Sequence, residues 1–293
     1  MVDTGSGLTW VHGDRQQFHA QAPSASHPAS AWNGKDFQSV YARGSASGNL
    51  RDVFEVIGVA ASHSIGDIGA DGLLGLGPKA LTAQLGTYAH PIPTVIDTFN
   101  AKEKEANANA KEIFGIYFEP WSVPGGKGHL SFGDVDKSSI KGDITWVDFL
   151  QTPELRDYYG FEMSVQIKLS YSYKHKGSTG NIELLKNDEG NEKVHGLTDT
   201  GSTLILLDPA MFETYHQAIG AEWDFRTKLW RLTIENYEKL GDLIFKIGGR
   251  DFKFAPEAQV FPLAWNVAQR GSSSGVATHR WLTIGPAGQM TKF

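Results

Sequence analysis

Short runs rich in Phe, Trp, Ile and Val recur along this chain, set among many glycines and prolines. "EIFGIYFEP" (112–120), "GHLSFGDVD" (128–136), "GDITWVDFL" (142–150) and "YYGFEMSVQIKLS" (158–170) share this pattern. Aromatic and β-branched residues in short runs favour strands over long helices, so each run predicts a strand. "ADGLLGLGP" (70–78) predicts a shorter apolar strand. "FQSVYARGSASGNLRDVFEVIGV" (37–59) reads as a hairpin about its Gly/Ser-rich turn, and "LIFKIGGRDFKF" (243–254) as a hairpin about Gly248-Gly249. Helical patterns are few. One lies near 94–101, followed by a charged, Ala/Asn-rich surface connection. Another starts at Pro209 with Asp208 as its N-cap, and "ENYEKL" (235–240) supplies a short helical turn. Residues 13–36 predict a surface loop, 172–193 a turn or linker, and "GSSSG" (271–275) a flexible loop. The fold class this implies is mainly all-β.

One stretch occurs twice. "VDTGSGLTWV" (2–11) returns as "TDTGSTLILL" (198–207), so that Asp199 follows Asp3 by 196 positions. "DGLLGLG" follows the first copy, and "WLTIG" after the second is a loose echo of it. The spacing is too long for a solenoid. It implies two related β-rich halves, 1–150 with the first D-T-G and 151–293 with the second. Asp and Gly also favour ordinary turns. A pair of plain turns, however, does not call for the same Ser and apolar strand after each.

Each residue type in the repeat has a chemical use. Asp3 and Asp199 supply carboxylates. Gly5 and Gly201 let the backbone pass close enough for an N–H to point at them. Thr4 and Thr200 have hydroxyls able to bond backbone across a two-fold seam, and Ser6 and Ser202 hydroxyls able to reach the outer carboxylate oxygens. Two carboxylates brought face to face cannot both ionise, so the pair holds one proton between them. One member then serves as general base toward a water and the other as general acid toward a carbonyl oxygen.

Composition narrows the alternatives. The 293 residues contain no cysteine, which removes disulfides and thiolate metal sites. A net charge of -6 argues against a nucleic-acid surface. No apolar run approaches the roughly 20 residues that span a bilayer, and no signal-peptide pattern opens the chain. Ten histidines are present without an H-E-x-x-H pair; His12, His19 and His27 fall in loop-like sequence. There is no G-x-S-x-G elbow for a serine hydrolase and no N-x-[ST] glycosylation site.

The repeat, with "VYARGSASG", "IGADGLLGLGP", "IPTVIDTF", "GHLSFGDVD" and "LIFKIGGRDFKFAPEAQVFP", resembles the pepsin family of aspartic endopeptidases over nearly the whole chain. The fungal secreted (polyporopepsin) branch is the nearest likeness, and the lack of cysteine fits it. The resemblance implies a bilobal fold with a few short helices and Asp3 and Asp199 as the catalytic pair. Tyr41 becomes the tyrosine of a flap over the cleft, Gly44 the flap glycine, and Trp10 the partner under the flap. Thr203 joins them at the substrate side. The flap departs from the family in having Ala42 and Arg43 after its tyrosine; Arg43 would place a cation over the cleft and favour acidic side chains near the scissile bond. The segment after the flap is about ten residues shorter than the family pattern.

The same resemblance implies a polypeptide substrate, no cofactor, no metal, no nucleic-acid or membrane partner, a monomer, and an extracellular address. Against the family pattern the chain reads as incomplete at both termini, with Asp3 two residues from its start. The second reading is therefore a truncated, catalytically inactive homologue that at most binds peptides.

Overall fold

The computed structural model describes residues 1–12, 32–41, 44–52, 56–63, 72–83, 90–120, 123, 127–169, 180–183, 194–263 and 278–288. Six strands from the first part of the chain form one sheet: β1 (Val2–Asp3), β2 (Trp10–His12), β3 (Trp32–Tyr41), β4 (Gly44–Asp52), β5 (Val56–His63) and β6 (Gly72–Gly75). Their order is β1-β6-β2-β5-β4-β3. The short β1 lies parallel to β6, with Val2 opposite Leu74 and Asp3 opposite Gly75. β6 is in turn antiparallel to β2, with Leu73 opposite Trp10. Leu8, Trp10, Leu73 and Leu76 are buried around this junction. Its apolar packing and its ladder therefore fix the strand that carries Asp3.

The hairpin expected over 37–59 is present with a different turn. β3 and β4 pair with Tyr41 opposite Gly44, so the Gly/Ser-rich segment from Gly44 lies within β4. Small polar residues favour turns only where no neighbouring strand claims their backbone, and here both β3 and β5 do. α1 (Val95–Ala106) follows, with Thr94 and Asp97 forming a reciprocal capping box. It takes in the charged "AKEKEA" that the sequence assigns to a connection. β7 (Phe114–Tyr117) and β8 (His129–Phe132) then form a two-stranded hairpin.

"GDITWVDFL" departs from its prediction. Residues 142–150 join no ladder among the described residues. Leu150 N–H donates to the carbonyl of Gly160 at 3.0 Å, and Arg250 reaches the carbonyl of Asp143. Trp146 and Phe149 remain 69% and 58% exposed. Aromatic and β-branched residues prepare a segment to be a strand, but a ladder also requires a neighbour with free backbone groups.

The second half is built on β9 (Gly160–Leu169). β10 (Gly180–Glu183) and β11 (Val194–Leu197) pair with its two ends, and β15 (Leu243–Ile247) pairs along it with β16 (Arg250–Phe254) beyond. The predicted linker over 172–193 thus contains a strand, β10. β12 (Ile205–Leu207) runs parallel to β18 (Ile284–Pro286); β13 (Glu222–Asp224), β14 (Leu229–Thr233) and β17 (His279–Trp281) make a three-stranded sheet. Among the described residues no sheet mixes strands from before and after residue 150.

α2 (Pro209–Ile219) begins as its sequence predicts, with the Asp208 side chain accepting from Ala210 N–H and Pro209 in the first turn. It buries Met211, Phe212, Tyr215 and Ile219 against Val165, Ile167, Leu232 and Leu243, one apolar stripe of a helix on a sheet. α3 (Ile234–Tyr237) is a single turn. Gly248 and Gly249 both have positive φ, 57° and 79°, as a tight two-residue hairpin turn requires. The "WLTIG" echo is not equivalent to "DGLLGLG". β6 lies parallel to the strand entering the first turn, whereas β18 lies parallel to the strand leaving the second.

Candidate active site

The two D-T-G turns meet, and backbone hydrogen bonds set each carboxylate. Asp3 Oδ1 accepts from Gly5 N–H at 2.8 Å, and Asp199 Oδ1 accepts from Gly201 N–H at 3.0 Å. Each is a bond from the residue two positions on, the natural closure of an Asx turn. A Cβ on Gly5 would lie 2.8 Å from Asp199 Oδ1, and one on Gly201 would lie 2.6 Å from Asp3 Cγ. Each glycine therefore faces the carboxylate of the opposite turn at a separation that no larger residue could keep.

The threonines tie the turns together. Thr4 Oγ1 donates to the carbonyl of Thr198 at 3.0 Å and accepts from Thr200 N–H at 3.0 Å. Thr200 Oγ1 donates to the carbonyl of Val2 at 3.1 Å and accepts from Thr4 N–H at 3.1 Å. The serines act differently from the expectation that they reach carboxylates. Ser6 Oγ donates to the carbonyl of Leu8 at 3.5 Å and Ser202 Oγ to that of Leu204 at 3.0 Å. A hydroxyl has one proton to give, and here it braces the start of the following strand.

The pair is unequal. Asp3 is 5% exposed, whereas Asp199 is exposed to solvent. β6 pairs with the strand that carries Asp3, and beyond it Leu76 N–H donates to the Asp3 carbonyl at 2.8 Å. The Asp199 side opens instead into an apolar groove of about 1300 Å3, lined by Leu197, Leu206, Ile247 and Phe252 among others. Burial pushes the Asp3 carboxyl up to about 7, and the charge of Asp199 and a hydrogen bond with it add to the shift. The Gly5 N–H and the N-terminal ammonium oppose it.

Among the remaining candidates, Trp10 is wholly buried in β2 and Thr203 is exposed. Gly44 opens β4 opposite Tyr41. The side chain of Tyr41 and the whole of Arg43 lie outside the described residues. Among the described residues no group of three or more His, Cys, Asp or Glu side chains could hold a metal ion. One contact has no signature in the motifs. Tyr159, an aromatic just before β9, donates its hydroxyl to the carbonyl of Leu76 at 2.9 Å. A tyrosine ahead of a strand is too ordinary for sequence to single out.

Comparison with known proteins agrees with this geometry. The family model for eukaryotic aspartyl protease matches residues 1–266. Polyporopepsin from Irpex lacteus is 31% identical, over 98% of this chain and 79% of its own length. Rhizopuspepsin from Rhizopus chinensis and cathepsin E from Cavia porcellus are each 26% identical, over 88% of this chain and 62% of theirs. The crystal structure of the aspartic proteinase from Irpex lacteus superposes with a TM-score of 0.77 at 30% identity, covering 98% of this chain and 78% of that one. The chain belongs to the eukaryotic aspartyl protease family, with the pepsin-like fold and the function of an aspartic endopeptidase.

Proposed function

We propose that Asp3 and Asp199 are the reacting pair of this endopeptidase and that their roles differ. Two carboxylates sharing one proton is the general arrangement of aspartic proteases. Here the buried member, Asp3, holds that proton. A water between the two gives a proton to Asp199 as its oxygen attacks the peptide carbonyl, while Asp3 passes its proton to the carbonyl oxygen. The tetrahedral gem-diol then collapses, returning a hydroxyl proton to Asp3, and the proton on Asp199 moves to the departing amine. No bond between enzyme and substrate forms at any stage, and no metal or cofactor is called for.

The single observation that supports this reading is the reciprocal grip of Thr4 and Thr200, which joins the turn that carries Asp3 to the turn that carries Asp199. Gly5, Gly201, Ser6 and Ser202 support the turns. A polypeptide substrate lies extended between lobes 1–150 and 151–293 beneath a flap carrying Tyr41, Arg43 and Gly44, with Trp10 supporting the flap from below and Thr203 at the cleft edge. Arg43 favours an acidic side chain near the scissile bond, and an unchanged peptide-library preference in Arg43→Ser would rule that out. The protein acts as a monomer outside the cell, without nucleic-acid or membrane partners. No described helix is long and apolar enough to cross a membrane.

The test is cleavage of a denatured protein between pH 3 and 6, with and without pepstatin, beside Asp199→Asn. Pepstatin-sensitive cleavage that vanishes in the variant supports the reading. A folded chain that cleaves nothing, or an Asp199→Asn variant that still cleaves, overturns it.

A further inference from the structure

Tyr159 is bonded toward both catalytic turns. Its backbone carbonyl accepts from Thr198 N–H at 3.2 Å, and Thr198 directly precedes Asp199. Its hydroxyl donates to the carbonyl of Leu76 at 2.9 Å, and Leu76 N–H donates to the carbonyl of Asp3 at 2.8 Å. Its ring packs beside Phe114 and Phe149, with centroids 5.7 and 5.3 Å away. One half-buried residue is thus tied directly to the segment bearing Asp199 and, through one intervening residue, to the strand bearing Asp3.

We infer that Tyr159 is a positioning residue for the catalytic pair: its hydroxyl holds the Leu76 segment closed over Asp3 while its carbonyl holds the approach to Asp199. This rests on the reading of Asp3 and Asp199 as the reacting carboxylates. The threonine grip works elsewhere, on residues 2, 4, 198 and 200. It does not reach β6, and the Tyr159 hydroxyl ties the residue that follows β6 to the second half. Leu76 is fully buried, so its carbonyl has no ready exchange with water once the tyrosine hydroxyl is lost. The donor also persists at every working pH. Burial, then the charge of Asp97, pushes the Tyr159 hydroxyl up to about 12.

The charged and titratable groups acting on Asp3 are Asp199 and the Met1 ammonium, and the one acting on Tyr159 is Asp97. Loosening the Leu76 cover admits water to Asp3 and lets its titration move down toward the ordinary carboxylate range. Catalysis then suffers because transition-state alignment tolerates displacements of only about half an ångström.

The experiment compares wild type, Tyr159→Phe and Phe149→Leu. Tyr159→Phe deletes a single oxygen, whereas Phe149→Leu removes a packing ring and leaves the hydroxyl bond. Carboxyl NMR of labelled aspartate follows the titration of the pair, alongside kcat, KM and thermal unfolding. In Tyr159→Phe the Asp3 midpoint is expected to fall by about one pH unit or more. Its kcat is expected to fall about tenfold with KM within about twofold. Phe149→Leu is expected to lower thermal stability and leave the midpoint in place. A wild-type midpoint in Tyr159→Phe overturns the inference, as does failure of that variant to fold, or equal losses in both variants with unmoved midpoints. The titration reads the pair whether or not the chain cleaves peptides. An inactive wild type therefore counts against the catalytic reading, and an unmoved midpoint counts against Tyr159.

Discussion

Thr4 and Thr200 hold each other through the same two bonds run in opposite directions. Each backbone N–H donates to the other residue's hydroxyl oxygen, at 3.1 and 3.0 Å. Each hydroxyl then donates onward to a carbonyl two residues before its partner, Thr198 or Val2. The joint between the repeats is therefore made by residues inside the repeats.

Thr200→Val keeps the shape and removes both bonds of one hydroxyl. It leaves Thr4 N–H and the Val2 carbonyl unpaired in a largely buried seam. The expected loss is about 2–4 kcal/mol of stability, since an unsatisfied buried group costs about 1–3 kcal/mol. Urea unfolding measures it, and Thr200→Ser should recover most of the loss. A change below about 1 kcal/mol would mean the grip contributes little to holding the turns.

Gly201→Ala should damage activity more than folding. The added Cβ would sit 2.6 Å from Asp3 Cγ, and Gly5→Ala would place one 2.8 Å from Asp199 Oδ1. Neither distance is sustainable, so a carboxylate must move. A displacement near 1 Å can cost about a hundredfold in rate, and kcat/KM is expected to fall by at least that much. A rate close to wild type in either variant would contradict the close approach of glycine and carboxylate.

Stability should fall as pH rises through the range where Asp3 gives up its proton only in the unfolded chain. Its folded value is about 7 against an ordinary 3.8. Below the lower value both states are protonated and the contribution is fully present. Between the two the folded state holds a proton that the unfolded state has released, so the stabilisation drains away as pH rises. Unfolding free energies from about pH 4 to 7 should therefore slope downward, and Asp3→Asn should flatten that slope by up to one proton. Identical slopes in the two proteins would count against a buried, protonated Asp3.

Gln259 predicts a stability effect away from Asp3 and Asp199. It is completely buried; its Oε1 accepts from the Tyr215 hydroxyl at 2.9 Å, and its Nε2 donates to the carbonyls of Gly241 and Phe254 at 2.8 and 2.9 Å. Gln259→Leu strands all three partners in the second-half core and is expected to cost about 3 kcal/mol or more. Tyr215→Phe breaks one of these bonds and should cost about 1 kcal/mol. Thermal and urea unfolding of both variants check the order, and equal losses would place the effect on packing.

What was legible in the residues themselves was local. Short runs rich in aromatic and branched apolar residues marked β7, β8, β9 and the β15–β16 hairpin, Asp208-Pro209 marked the start of α2, and Gly248-Gly249 marked a turn. These signals act over a few residues, through side-chain type, a cap or a permitted φ. The two D-T-G copies marked the candidate site because the pattern of residue types repeats whole.

Tertiary structure decided whatever depends on a distant neighbour. It drew the Gly/Ser segment 44–48 into β4 between two strands and left 142–150 without a ladder, although both segments carry clear local signals. It turned the hydroxyls of Ser6 and Ser202 toward strand carbonyls. It also made two identical motifs unequal, burying Asp3 beside β6 and leaving Asp199 open to an apolar groove. Residue identity sets what a carboxylate can do. Its proton affinity follows from what covers it, and here that cover comes from residues more than seventy positions away.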